Sequence, residues 1–327
     1  MSEMSMPKVV ISETLSAEPA AWLGERCRVV WAMHDSASFD GELADAEGLV
    51  VRTYTIVGPA LLDRAPKLRV VGRAGVGLDN IDLEACRSRG VEVVSTPDAN
   101  SQAVVEYVLG LMLDALRPRV DLLEDVDAPG YHHMRKKHVG RQLDRMTLGI
   151  LGFGRIGRRL GEVAHAIGMN LRVCDLLPEA HLREAVEYPF RFVGLEQLLG
   201  GSDIVSIHVD GRQSNRHLLN ARTLSMLRDD TVLINAARGM LVDQKALAAW
   251  ATAHPEARVV LDVLDPEPPT ANERLRKVSK NVRILPHLAS RTHEAMENMS
   301  WVVRDVWAVL EGREPAYSAL DDSSSGD

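Results

Sequence analysis

Short runs of consecutive apolar residues recur through the first hundred positions, at 8–12, 28–31, 48–52, 68–72 and 91–95, and helical spacing fills the stretches near 19–24, 59–64 and 83–89. Apolar runs of four or five residues without strict alternation suit strands covered on both faces, and their exchange with helices predicts a parallel sheet between helical layers. Residues 101–116 form a helical run more apolar than a surface helix needs, which fits burial in its own domain or in a subunit interface. After a charged loop, a second series of strands is predicted at 147–151, 171–174, 204–208, 231–235, 258–262 and 282–285, with a helix over 158–167 and a long one over 292–310. That last helix has no place in a second domain that is already complete. The pattern therefore predicts a discontinuous outer domain, residues 1–100 and 291–327, into which a second α/β domain, residues 101–290, is inserted. The polar tail from about 318 is expected to be disordered.

Composition narrows the class. The chain has 327 residues, enough for two cores, and its net charge of −8 gives no global basic field to draw nucleic acid or an anionic membrane. No run approaches the roughly 18 apolar residues of a membrane span, and the first eight residues lack the apolar core of a signal peptide. Cys27, Cys86 and Cys174 are odd in number and lack metal-ligand spacing, so reduced thiols, a cytoplasmic location and no metal are expected.

Within the second series, Gly152-Phe153-Gly154-Arg155-Ile156-Gly157 fits G-x-G-x-x-G between the strand at 147–151 and the helix after it. The glycines allow a tight turn, close approach of backbone to a pyrophosphate and close packing of helix on strand, and the helix N-terminus attracts the phosphates. The next strand ends in Asp175, 18 residues after Gly157, close to the roughly 20-residue spacing of a ribose-binding carboxylate. Asp175 would repel the 2′-phosphate of NADP, and Leu176 and Leu177 stand where an arginine would grip it, so NAD is the expected cofactor.

In open α/β sheets, ligands bind at the carboxyl ends of strands, and three strand ends carry polar groups: Arg238 after Asn235-Ala236-Ala237, Glu267 after Asp262, and His287 after Leu285-Pro286. Exchange of hydride between NAD and a hydroxyl carbon needs a proton carrier near neutral pH, for which histidine is suited. A carboxylate behind the imidazole would orient it and favour its protonated form, and an arginine would grip a substrate carboxylate with two hydrogen bonds.

These segments, together with GRAGVGLDNID at 72–82, Thr96-Pro97 and DIVSIH at 203–208, resemble the D-isomer-specific 2-hydroxyacid dehydrogenase family over nearly the whole chain. The resemblance implies two Rossmann-like or flavodoxin-like domains and a catalytic set of Arg238, Glu267 and His287. It also implies that Asp262 holds the nicotinamide amide, and that Thr96, Arg155, Ile156, Asp175, His208, Val209, Ala236 and Ala237 join the glycines around NAD. The amides of Ala74, Gly75, Val76 and Gly77 are implied to hold the substrate carboxylate. Within the family the likeness is greatest to the phosphoglycerate dehydrogenases: Arg73 stands at their substrate-binding arginine, and the loop 132–140 resembles their W-E-R-K-K-x-x-G segment, with Arg135 placed to reach a neighbouring subunit's substrate. Six basic or imidazole groups in that loop, His132, His133, Arg135, Lys136, Lys137 and His138, suit an anionic substrate tail.

Departures from the family pattern are Val209-Asp210-Gly211-Arg212, where proline-leucine-threonine usually follows the strand, and Leu288-Ala289-Ser290-Arg291, where many relatives have glycines. The resulting expectation is an NAD-dependent dehydrogenase of a D-2-hydroxy acid bearing a phosphate or phosphonate tail, working as a homodimer through its NAD-binding domain. Alternatives are a glyoxylate or hydroxypyruvate reductase acting on uncharged tails, and a non-catalytic NADH-sensing scaffold resembling a corepressor.

Overall fold

The computed structural model describes residues 6–117, 119–122, 126–269, 275 and 280–322. These fall into two compact units, one of residues 1–100 with 290–327 and one of residues 101–289.

The first unit opens with β1 (Lys8–Ile11), α1 (Ala17–Gly24), β2 (Arg28–Trp31), α2 (Phe39–Leu43), β3 (Gly48–Val51), α3 (Pro59–Leu62), β4 (Val70–Arg73), α4 (Leu83–Ser88) and β5 (Glu92–Ser95). The strands form one sheet in the order β2-β1-β3-β4-β5, every pair parallel. Successive residues of a strand point to opposite faces, and both faces are apolar here. Val9, Ile11, Val50, Val70 and Val94 enter one core cluster, while Val10, Leu49, Val51, Val71 and Val93 enter another with Leu61, Leu62 and Cys86.

The second unit begins with α5 (Ser101–Leu116) and α6 (Ala128–Lys137). It continues through β6 (Thr147–Leu151), α7 (Arg155–Ala166), β7 (Asn170–Cys174), α8 (Glu179–Glu184), β8 (Arg191–Phe192), α9 (Leu195–Gly201) and β9 (Ile204–Ile207). It ends with α10 (Ala221–Leu224), β10 (Val232–Asn235), α11 (Gln244–Ala253), β11 (Arg258–Leu261) and β12 (Val282–Ile284). Its parallel sheet runs β12-β11-β10-β9-β6-β7-β8. The chain builds outward from β6 to β8, then returns to the other side of β6 at β9, so the topological switch point lies between β6 and β9. α5 packs into this unit's own core: Val104, Val105, Val108 and Met112 are buried with Leu148, Ile150 and Leu160.

The chain then re-enters the first unit with α12 (His293–Ser300), α13 (Val303–Leu310) and α14 (Ala319–Asp322). The single helix expected over 292–310 is thus interrupted. The Ser300 hydroxyl donates to the Met296 carbonyl at 2.7 Å, a side-chain bond that bends helices, and Trp301 and Val302 make the turn. Val302, Val303 and Val306 cover the same sheet face as Val9 and Val70. Disorder does not begin at 318: Val94 and Ser318 form an antiparallel bridge, and Ala319 is buried in the first unit's core. The remainder of the tail, 323–327, lies outside the described residues.

Residues 128–137 are a helix where a charged loop was expected. Asp127 caps it by accepting from the Gly130 amide at 2.8 Å, Pro129 occupies its first turn, and Arg135, Lys136 and Lys137 lie in its last turn, where cations suit the helix dipole. Among the described residues no helix is long and apolar enough to cross a membrane.

At the carboxyl ends of β1 and β3 the first unit contains a feature the sequence did not reveal. The Glu13 carboxylate, 4% exposed, accepts the amides of Arg52, Thr53, Tyr54 and Thr55 at 2.9–3.1 Å and the Thr55 hydroxyl at 2.9 Å. Burial alone would raise its pKa, but the four backbone donors outweigh that and hold it below the usual carboxylate range. A carboxyl with a depressed pKa in the folded state contributes stability above its unfolded value, near 4.5, and loses it as pH falls through the folded one. Glu13→Gln is therefore expected to cost about 2 kcal/mol at neutral pH. Denaturant unfolding should show the gap to wild type narrowing below the carboxylate range; a gap independent of pH would contradict the assignment.

Candidate active site

The glycine fingerprint sits at the switch point. Gly152, at the end of β6, has φ +93°, and a Cβ there would lie 2.7 Å from the His208 carbonyl carbon, so the two strand ends approach closely only because the side chain is absent. Gly157 lies against the Gly152 carbonyl, 2.2 Å from where a Cβ would stand. Gly154 is the N-cap of α7 and has open space beside it, and no side chain caps the helix. α7 thus starts at Arg155, three residues earlier than its hydropathy suggests. Arg155 and Ile156 stand in its opening turn, where a helix N-terminus attracts an anion. Asp175 follows β7 directly, accepting the Phe153 amide at 2.5 Å and the Leu177 amide at 2.9 Å, while Leu176 is exposed. This cradle, amide-rich and closed by a carboxylate, fits NAD.

On the other side of the switch point, the His208 imidazole meets the Ser206 hydroxyl at 2.8 Å, and burial lowers its pKa to about 4. It is neutral at physiological pH and unsuited to carrying a proton for the reaction. Val209 continues into the departing loop, which proves self-contained. Asp210 accepts bidentately from Arg212, at 2.7–3.0 Å, and from the Asn215 side chain at 3.0 Å.

The three strand-end groups sit close together. Asn235, the last residue of β10, is buried; its side chain accepts from the Ala237 amide at 3.1 Å and donates to the Arg238 carbonyl at 2.9 Å, which folds Ala236 and Ala237 into the turn that presents Arg238. The Glu267 Oε1 accepts the Leu264 amide and its Oε2 meets His287 Nδ1, both at 2.8 Å. Burial pushes the Glu267 carboxyl up. The hydrogen bonds from His287 and Leu264, with the charges of His287 and Arg238, more than reverse this and keep it ionised through neutral pH. Both partners keep solvent contact, His287 at 43% and Glu267 at 36%, so Nε2 is the nitrogen left for a reacting oxygen.

His287 has φ +56°, a conformation costing a non-glycine residue about 1–3 kcal/mol and held only where surrounding bonds enforce it. Its amide donates to the Asp262 carbonyl at 2.8 Å, and the Leu288 and Ala289 amides donate to the Asp262 carboxylate at 2.9 and 2.8 Å. A carboxylate has about four acceptor positions. With the Tyr107 hydroxyl at 3.3 Å on Oδ1, three are occupied by donors among the described residues.

In the first unit, Arg73 ends β4 and its guanidinium folds over Gly75, whose φ of +156° and missing Cβ make the room. Of the four amides expected to hold a substrate carboxylate, two are already bonded. Ala74 donates to the Val51 carbonyl at 2.8 Å and Gly75 to the Arg73 carbonyl at 2.7 Å, and an amide has one proton to give. Among the described residues only Val76 and Gly77 of that set have no backbone acceptor. Thr96, just past β5, bonds through its amide to the Gly75 carbonyl at 3.2 Å. Arg135 is exposed on α6, with its guanidinium 6.0 Å from the Tyr131 ring.

Residues 109–289 match the family described as the D-isomer specific 2-hydroxyacid dehydrogenase, NAD binding domain. The (S)-sulfolactate dehydrogenase of Chromohalobacter salexigens is 36% identical over 304 residues, covering 92% of this chain and 97% of that protein. The D-3-phosphoglycerate dehydrogenase of Archaeoglobus fulgidus is 32% identical over 91% of this chain and 56% of its own length, so this chain spans about half of that relative. A hydroxypyruvate reductase of Thermotoga maritima is 32% identical over 79% of this chain and 82% of its own. Among solved structures, the TT0316 protein from Thermus thermophilus superposes with a TM-score of 0.83 at 31% identity, covering 95% of this chain and 99% of that one. The D-lactate dehydrogenase of Aquifex aeolicus, complexed with NAD and lactic acid, gives 0.77 at 25% identity over 93% and 96%. The chain belongs to the D-isomer-specific 2-hydroxyacid dehydrogenase family and is an NAD-dependent oxidoreductase of the CH–OH group.

Proposed function

We propose that the chain interconverts a small 2-oxo acid and its D-2-hydroxy acid, the favoured substrates bearing a second tetrahedral anion, phosphate, phosphonate or sulfonate, at the far end. The observation that carries the chemistry is the 2.8 Å pair of His287 Nδ1 and Glu267 Oε2. When bound, NADH supplies hydride to C2. His287 Nε2 gives its proton to the oxygen that becomes the alcohol, and Glu267, ionised, steadies the imidazolium and fixes which nitrogen faces outward. Arg238 holds the carboxylate and draws charge toward the carbonyl oxygen.

The anionic tail is supported by the cationic last turn of α6 and by the likeness, over nearly both full lengths, to a sulfolactate dehydrogenase. A tail without charge is the second reading, favoured by the hydroxypyruvate reductase relative. A homodimer through the nucleotide-binding unit belongs to the proposal, because Leu122, Tyr131 and Val139 around α6 are exposed at 55%, 42% and 78%. The three cysteines are free, in keeping with a reducing cytoplasm.

Two experiments test these roles. His287→Ala is expected to lower kcat about a thousandfold while the NADH dissociation constant, read by fluorescence titration, stays near wild type; lost NADH binding would refute the acid role. In an NADH-oxidation screen of pyruvate, hydroxypyruvate, phosphohydroxypyruvate, phosphonopyruvate and sulfopyruvate, Arg135→Ala should raise KM about tenfold for the doubly anionic acids alone. An equal rise for pyruvate would remove Arg135 from substrate selection.

A further inference from the structure

His287 is held by two elements besides its own loop, and the second of them, α5, has no part in the reaction as proposed. Tyr107 lies in the second turn of α5, and its hydroxyl donates to Asp262 Oδ1 at 3.3 Å. Asp262 is 1% exposed at the end of β11, and the same oxygen accepts the Leu288 amide, while its partner oxygen accepts the Ala289 amide. The Asp262 carbonyl takes the His287 amide. One buried residue thus gathers three consecutive amides at the left-handed turn that carries the imidazole, and Tyr107 supplies the bond to its carboxylate from outside that turn.

We infer that Tyr107 is a positioning residue that acts through Asp262 to keep His287 aligned with Glu267. The inference rests on the proposed role of His287. A buried carboxylate can rotate about its last torsion, exchanging which oxygen faces which donor. With only two amides of one turn as donors, carboxylate and turn can shift together. A third donor from a separate packed helix ties the carboxylate to the core and so fixes the turn. The rest of α5 supplies the rigidity: Val104, Val108 and Leu111, on the turns around Tyr107, are buried. Burial comes first, followed by the charge and hydrogen bond of Asp262, in raising the Tyr107 pKa to about 12, so the phenol keeps the proton it donates.

Tyr107→Phe removes the hydroxyl and leaves the ring that packs. In the NADH-free protein, hydrogen exchange followed by mass spectrometry should show the amides of 287–289 exchanging about tenfold faster, with exchange across α5 unchanged. In turnover, kcat should fall about fivefold with KM for the 2-oxo acid unmoved. Unchanged exchange at 287–289, or faster exchange spread across the whole unit, overturns the inference. Local loosening with wild-type kcat overturns the link from the turn to catalysis. The exchange result does not depend on what His287 does, so failure of the acid role, seen as His287→Ala with normal turnover, is distinguishable from failure of the Tyr107 tether.

Discussion

The proposed active site depends on a histidine kept in a backbone conformation that its own side chain disfavours. At φ +56° His287 would relax in isolation, and it stays because its amide and the two after it end on Asp262 while its ring ends on Glu267. Both acids follow β11, in one segment after a strand whose apolar residues are buried in the sheet. The sheet therefore fixes Asp262, Asp262 fixes the turn, and Glu267 fixes the ring. Precision at the imidazole comes from a chain of short bonds to elements that cannot move without opening the core.

Electrostatics divides two histidines that look alike in the sequence. His208 and His287 each follow a strand of the same sheet, yet one is buried beside a hydroxyl and the other pairs with a carboxylate near Arg238. Desolvation drives His208 to its neutral form, in which it can line a nucleotide pocket without adding charge. His287 has a carboxylate behind it and water in front, the arrangement that lets an imidazole exchange a proton.

Much of this was legible in the sequence. The paired series of apolar runs indicates parallel sheets because a strand buried on both faces has no polar face to alternate, and here consecutive valines of β1, β3 and β4 do enter opposite clusters. Arg238, Glu267 and His287 stood out because polar groups directly after such strands are conspicuous. Helix ends were less legible. Pro129-Gly130 and a run of charges hide the capped start of α6, although Asp127 before a proline is a helix-start signal. The break at Trp301 depends on a serine bonding back to its own helix, a choice hydropathy does not register. Glu13 and Asn235 were missed for a common reason: each binds backbone amides or carbonyls, and such partners carry no sequence signature. The same blindness made four amides of the 74–77 loop look available, when two are consumed by neighbouring carbonyls.

The kcat for NADH-driven reduction of a 2-oxo acid, compared between wild type and Glu267→Gln, tests the central claim most directly. Removing the carboxylate charge removes the group that orients and steadies the imidazolium, so kcat should fall about a hundredfold, with NADH affinity retained. A kcat equal in both proteins would mean that the Glu267–His287 pair does not carry the proton.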